Sequence, residues 1–152
     1  MSYHNLGLIS ERENNQREAE SNLRKAADLA ARLAEPRLKL AEIYRRQRRP
    51  ELQHSVLREM IAGNPTSPAG YEALGQILIQ GRQWEQAEQV YTEMLANGVN
   101  PAVALTGLGD AHAGMGDRTQ AAEDYRQAMR RSTDPAAIRE LQRKIQETER
   151  RR

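Results

Sequence analysis

Apolar residues along the chain recur at helical spacing, and they do so in register. Tyr71, Leu74, Gly75 and Leu78 follow an i, i+3, i+4, i+7 pattern, which marks one face of an α-helix. The residues 34 positions later are Leu105, Leu108, Gly109 and His112. The residues 34 positions earlier are Arg37, Leu40, Ala41 and Tyr44, and one step further back are Tyr3, Leu6, Gly7 and Ser10. Leucine keeps its place in all four copies, and Gly or Ala always follows it.

A second stripe repeats with the same period. Ala87, Tyr91 and Met94 correspond to Ala121, Tyr125 and Ala128, to Gln53, Leu57 and Met60, and to Ala19, Leu23 and Ala26. Between the stripes lie helix breakers. Gly81, Gly114 and Gly116 fall inside the units. Gly63-Asn64-Pro65, Asn97 to Pro101 and Ser132 to Pro135 fall between them. Each unit therefore reads as helix A, tight turn, helix B, short loop. The small residue after the leucine lets helix A approach helix B, whose facing column is small at Ala19, Ala87 and Ala121. Gln53 interrupts that column, so the second unit is expected to be the least regular.

Aromatic-x2-Leu-Gly-x2-large, then Ala-x3-aromatic, then Pro, over 34 residues, resembles the tetratricopeptide repeat. Tyr71, Leu74, Gly75, Ala87, Tyr91 and Pro101 carry the pattern best, followed by Leu105, Leu108, Gly109, Ala121, Tyr125 and Pro135. Arg37 in place of the leading aromatic and Ser10 in place of the large residue are departures. The resemblance implies an all-α fold, a right-handed superhelical solenoid of antiparallel helix pairs. It would form a single repeat domain over 1–152, with repeats at about 1–34, 35–67, 68–101 and 102–134. A terminal helix at 135–152 would cap it, giving nine helices. Asp134 and Pro135 suit the start of that helix, and Ile138, Leu141 and Ile145 give it one apolar stripe.

Composition fits a thin inter-helix seam better than a thick core. Of 152 residues, 38% are hydrophobic and none is Phe. The net charge of +2 is too small a field to demand a polyanion, although the pI is about 9.1. Cysteine is absent, which excludes disulfides and thiolate metal sites. No apolar run approaches the roughly 20 residues that cross a bilayer, and no signal peptide is visible at the start.

By the same resemblance, the A helices line a concave groove. Their non-core positions are then the expected ligand contacts: Asn5, Leu8 and Arg12 in the first repeat, and Leu38, Lys39, Glu42 and Arg46 in the second. Glu72, Gln76 and Gln80 follow in the third, and Thr106 and Asp110 in the fourth. Gly107 and Gly114 are expected to leave open space beside the last two. The function implied is a protein-interaction scaffold or adaptor that holds a peptide or helix of a partner, without a cofactor or metal. The basic–Asn pairs that clamp chaperone C-termini elsewhere in the family do not appear: the matching pairs are His4/Leu8, Leu38/Glu42 and Glu72/Gln76.

Two other classes fit less well. The run Arg45-Arg46-Gln47-Arg48-Arg49, with Arg130-Arg131 and Arg150 to Arg152, suits phosphate, but no aromatics interleave to stack bases. A nucleic-acid-associated repeat, or a fragment of a larger repeat protein within a multi-subunit assembly, is the alternative. Catalysis lacks a constellation: His4, His54 and His112 lie in different repeats, and neither HExxH nor a Gly-rich phosphate loop is present. Trp84 at the start of a B helix is read as packing over the helix turn. The N-terminal edge has no predecessor to cover Tyr3 and Ile9, so a longer array, a second copy or a partner is expected to stack there.

Overall fold

A computed structural model describes residues 16–30 and 33–150. Eight helices account for most of them, and no strand occurs among the described residues. The chain divides into two compact units, one up to Pro65 and one from Thr66.

The first unit contains α1 (Gln16–Leu29), α2 (Ala34–Arg46) and α3 (Pro50–Gly63), each packed on the next. Its core is Ala19, Leu23, Leu40, Ile43, Tyr44, Val56, Leu57 and Ile61. Gln53 stands in the alanine column and is itself buried. Arg37, in the leading aromatic column, is buried as well. The helix expected before α1 lies outside the described residues, together with Asn5, Leu8, Arg12, Tyr3 and Ile9.

The second unit contains α4 (Pro68–Gln80), α5 (Trp84–Ala96), α6 (Pro101–Met115), α7 (Arg118–Arg131) and α8 (Pro135–Arg150). Consecutive helices pack as hairpins, and α4 also touches α6. Tyr71, Leu74, Leu78, Ala87, Val90, Met94, Ala104, Ala111, Ala121 and Ala128 form the seam between them. Proline opens α3, α4 and α6 at the first turn, where its missing N–H leaves no bond unmade. Asp134 Oδ1 accepts from the Ala136 N–H at 3.0 Å and starts α8. Asp117 Oδ1 accepts from the Gln120 N–H at 3.0 Å and starts α7. Leu141 is buried, and Ile138 and Ile145 are half-buried, so α8 turns its apolar stripe inward and the rest of its surface to water.

The turn from helix A to helix B is the same object three times. Arg48, Arg82 and Gly116, 34 residues apart, have φ of 55°, 56° and 86°. Each is followed by an N–H that reaches back to the carbonyl five residues earlier: Arg49 to Tyr44, Gln83 to Leu78, Asp117 to His112. This left-handed residue ends the A helix. Gly81, expected to be the breaker of the third repeat, has φ −80°, and the left-handed position falls one residue later. Gly114 does not break α6, which continues to Met115.

Candidate functional site

The small residues of the A helices make room for rings. A Cβ on Gly75 would lie 2.4 Å from the Tyr91 ring, and one on Gly109 would lie 2.4 Å from the Tyr125 ring. The close approach expected at these glycines is therefore present, with a tyrosine of helix B as the close neighbour. Gly107 meets the Tyr91 ring from the other side, again at 2.4 Å, so this tyrosine is held between α4 and α6. Gly114 would place a Cβ 2.4 Å from the Trp84 ring. The open space expected at Gly107 and Gly114 is thus occupied, because rings of the preceding B helix reach across to them. Trp84 packs on the following A helix.

On α2, Leu38 is exposed and Lys39 half-buried. Glu42 accepts from Arg45 at 2.7 Å and from Arg46 Nε at 3.0 Å. The Arg45 bond, helped by Arg46, holds the Glu42 carboxyl down at about 2. Arg49 lies 3.4 Å from Glu20, which also accepts from the Tyr44 hydroxyl at 2.9 Å. Three arginines of the basic run therefore face carboxylates, which reduces the field available to a polyanion.

In the second unit the expected contacts lie on α4 and α6. Gln76 and Gln80 are exposed, and Glu72 and Thr106 half-buried. The Thr106 hydroxyl donates to the Ala102 carbonyl of its own helix at 2.8 Å. Asp110 is the most engaged: it accepts from the Tyr125 hydroxyl at 2.8 Å and from Lys144 Nζ at 2.5 Å. Lys144 also sits 5.4 Å from the centre of the Tyr125 ring. Burial, then the charges of Asp110 and Glu72, pushes the Tyr91 hydroxyl up to about 12. Glu72 and Asp110, from different helices, thus share one neighbourhood.

Sequence reasoning treated α8 as a cap and missed its share of this surface. Two recesses open between α6 and α8, on either side of the Asp110–Lys144 pair. One, of about 160 Å³, lies beside Ala113, Tyr125, Lys144 and Thr148. The other, of about 320 Å³, lies at the N-terminal ends of both helices, beside Thr106 and Leu141. The signal that could have found Lys144 is its register, 34 residues after Asp110.

A buried carboxylate, Asp124, and its half-buried partner His112 were missed as well. Asp124 accepts from Gln120 Nε2 at 2.9 Å and lies 2.6 Å from His112 Nδ1. His112 Nε2 lies 3.4 Å from Glu88. The chain of contacts joins α5, α6 and α7. Among the described residues no group of three or more His, Asp or Glu side chains could hold a metal ion. No helix among the described residues is long and apolar enough to cross a membrane.

Two family models, both described as tetratricopeptide repeat, match this sequence, one over residues 71–100 and the other over 2–32 and 102–135. Together they cover more than half of the chain. No curated protein sequence matches it. Among solved structures it is similar to MamA, with a TM-score of 0.62 at 18% identity, covering 96% of this chain and 95% of that one. It is similar to Pseudomonas aeruginosa pilF, with a TM-score of 0.64 at 23% identity, covering 95% and 68%. It is also similar to YrrB, described as a TPR protein with an unusual peptide-binding site, with a TM-score of 0.64 at 16% identity, covering 93% and 73%.

Proposed function

The chain belongs to the tetratricopeptide repeat family, and from that premise we propose that it binds a peptide or helix of a protein partner on the outward face of its A helices. Repeats of this family serve generally as protein-interaction scaffolds, and the all-helical architecture agrees with that role. The observation that carries the finer reading is the contrast between the two sides of α4 and α6. Their inward side is closed by Tyr91, Tyr125 and Trp84. Outward, α4 keeps Gln76 and Gln80 exposed, and α6 borders two recesses shared with α8. A surface of mixed apolar and charged groups around small pockets suits side-chain anchoring.

YrrB supports the reading only by likeness of fold and by the peptide-binding site its description names. Stacking at the N-terminal edge, by a second copy or another partner, is a further proposal within the same picture. Its residues Tyr3 and Ile9 lie outside the described ones. The test is affinity capture with the intact chain and with a variant carrying Lys39→Glu, Glu72→Lys, Gln76→Glu and Thr106→Arg. None of these residues is buried, so helix content and melting temperature should hold. Loss of the captured partner is expected. Undiminished capture by the folded variant would remove the groove from the account.

A further inference from the structure

The larger recess, between the N-terminal turns of α6 and α8, holds about 320 Å³. That is the low end of ligand pockets, which run about 300–1,000 Å³. It is too small for a helix face and large enough for a side chain or two of an extended segment. Val103, Ala137 and the buried Leu141 give it an apolar floor.

Most polar groups on its wall are already bonded within the chain. The Thr106 hydroxyl donates to Ala102, Asp134 accepts from the Ala136 N–H, and Ser132 Oγ accepts from the Asp134 N–H at 3.3 Å. Two groups on the rim are not used in this way. Asn100 makes no side-chain capping bond to α6, although it sits at the cap position. Arg131, exposed at the end of α7, makes no ion pair with the described residues. Asp134, the carboxylate of this rim, keeps its charge but is bonded to the start of α8 through Oδ1, which leaves Arg131 as the charged group of the rim without a partner among the described residues.

We propose that this recess is an anchor site for a partner peptide that places an aliphatic side chain on the Val103–Leu141 floor and an adjacent carboxylate on Arg131. The proposal rests on the groove reading above and names the chemistry of one of its subsites. The aliphatic side chain gains by leaving water, and the guanidinium forks onto a carboxylate. The Asn100 amide, with a donor and an acceptor, can hold the peptide backbone between them.

Disulfide tethering tests this directly, because the chain has no cysteine of its own. Thr133→Cys places one thiol on the rim. The variant is equilibrated with disulfide-linked Leu-Asp, Leu-Asn, Leu-Lys and Ser-Asp dipeptides under increasing reductant, and intact mass reads the fraction captured. Leu-Asp should survive about tenfold more reductant than the other three, the discrimination expected of one charged hydrogen bond or one buried aliphatic group. Adding Arg131→Gln should reduce Leu-Asp to the level of Leu-Asn while leaving Leu-Asn unchanged. Adding Ala137→Met, which fills the recess, should remove the preference for Leu over Ser. Equal capture of all four dipeptides, or a Leu-Asp preference untouched by Arg131→Gln, would overturn the proposal. Such a failure, with partner capture still lost in the four-residue groove variant, would leave the groove in place and remove this subsite alone.

Discussion

Tyr91 shows how single residues hold this fold together. Its ring lies between Gly75 of its own repeat and Gly107 of the next, and no side chain fits at either place. Gly75→Leu should therefore destabilise the chain by at least about 2 kcal/mol, the scale of core overpacking, and Gly107→Ala should also lower the melting temperature. A Gly107→Ala variant that melts as the parent does would restore open space at that position. The columns of Leu and Gly were legible in the sequence, because register compares like positions. The contact of Tyr91 with Gly107 was not, because it joins unlike positions of neighbouring repeats. Asp124 and His112 are a different case. Asp124 stands in the column of Val56 and Val90, and His112 in that of Tyr44 and Leu78. Each alone looks like a departure from an apolar column. Only the structure shows that the two departures satisfy each other at 2.6 Å. Asp124→Ala removes the partner of the half-buried His112 Nδ1 and should cost about 1–3 kcal/mol in denaturant unfolding. A change under about 0.5 kcal/mol, the range of ordinary surface substitutions, would show that the pair is dispensable.

At the scale of elements, the helix starts were the most legible feature. Pro101 and Pro135, in the expected breaker clusters, each open a helix, and Asp134 caps as expected, whereas α4 opens at Pro68, beyond the cluster Gly63-Asn64-Pro65. The helix ends were harder to read, since the residue that ends each A helix is recognisable by type only in the last repeat. Gly116 takes the left-handed conformation there without strain, whereas Arg48 and Arg82 take it with a Cβ. The 34-residue register alone could have transferred the turn from Gly116 to Arg82, against the pull of the neighbouring Gly81. Arg82 is exposed, and no side-chain bond holds it among the described residues. Arg82→Gly should accordingly raise stability by about 0.5–1 kcal/mol, measured as a higher denaturant midpoint at unchanged slope. A lower midpoint would mean that the arginine contributes something other than strain.

For the whole molecule, periodicity carried the family and the all-helical class, while the identity of a partner has no periodic signature. A scaffold's specificity lies on the outward positions, which are free to differ from repeat to repeat, and here they do: Leu38, Glu72, Thr106 and Glu140 share one register position. The groove reading therefore stands or falls on where a bound partner shields the chain. Carboxyl-labelling mass spectrometry of the chain, alone and with its captured partner, reads this at individual side chains. Glu42 and Glu72 lie on the A helices α2 and α4, and the exposed Glu51 and Glu85 lie on the B helices α3 and α5. The account predicts that the partner slows labelling at Glu42 and Glu72 and leaves Glu51 and Glu85 as they are. Protection of Glu51 and Glu85, with Glu42 and Glu72 still labelled at the free rate, would contradict it.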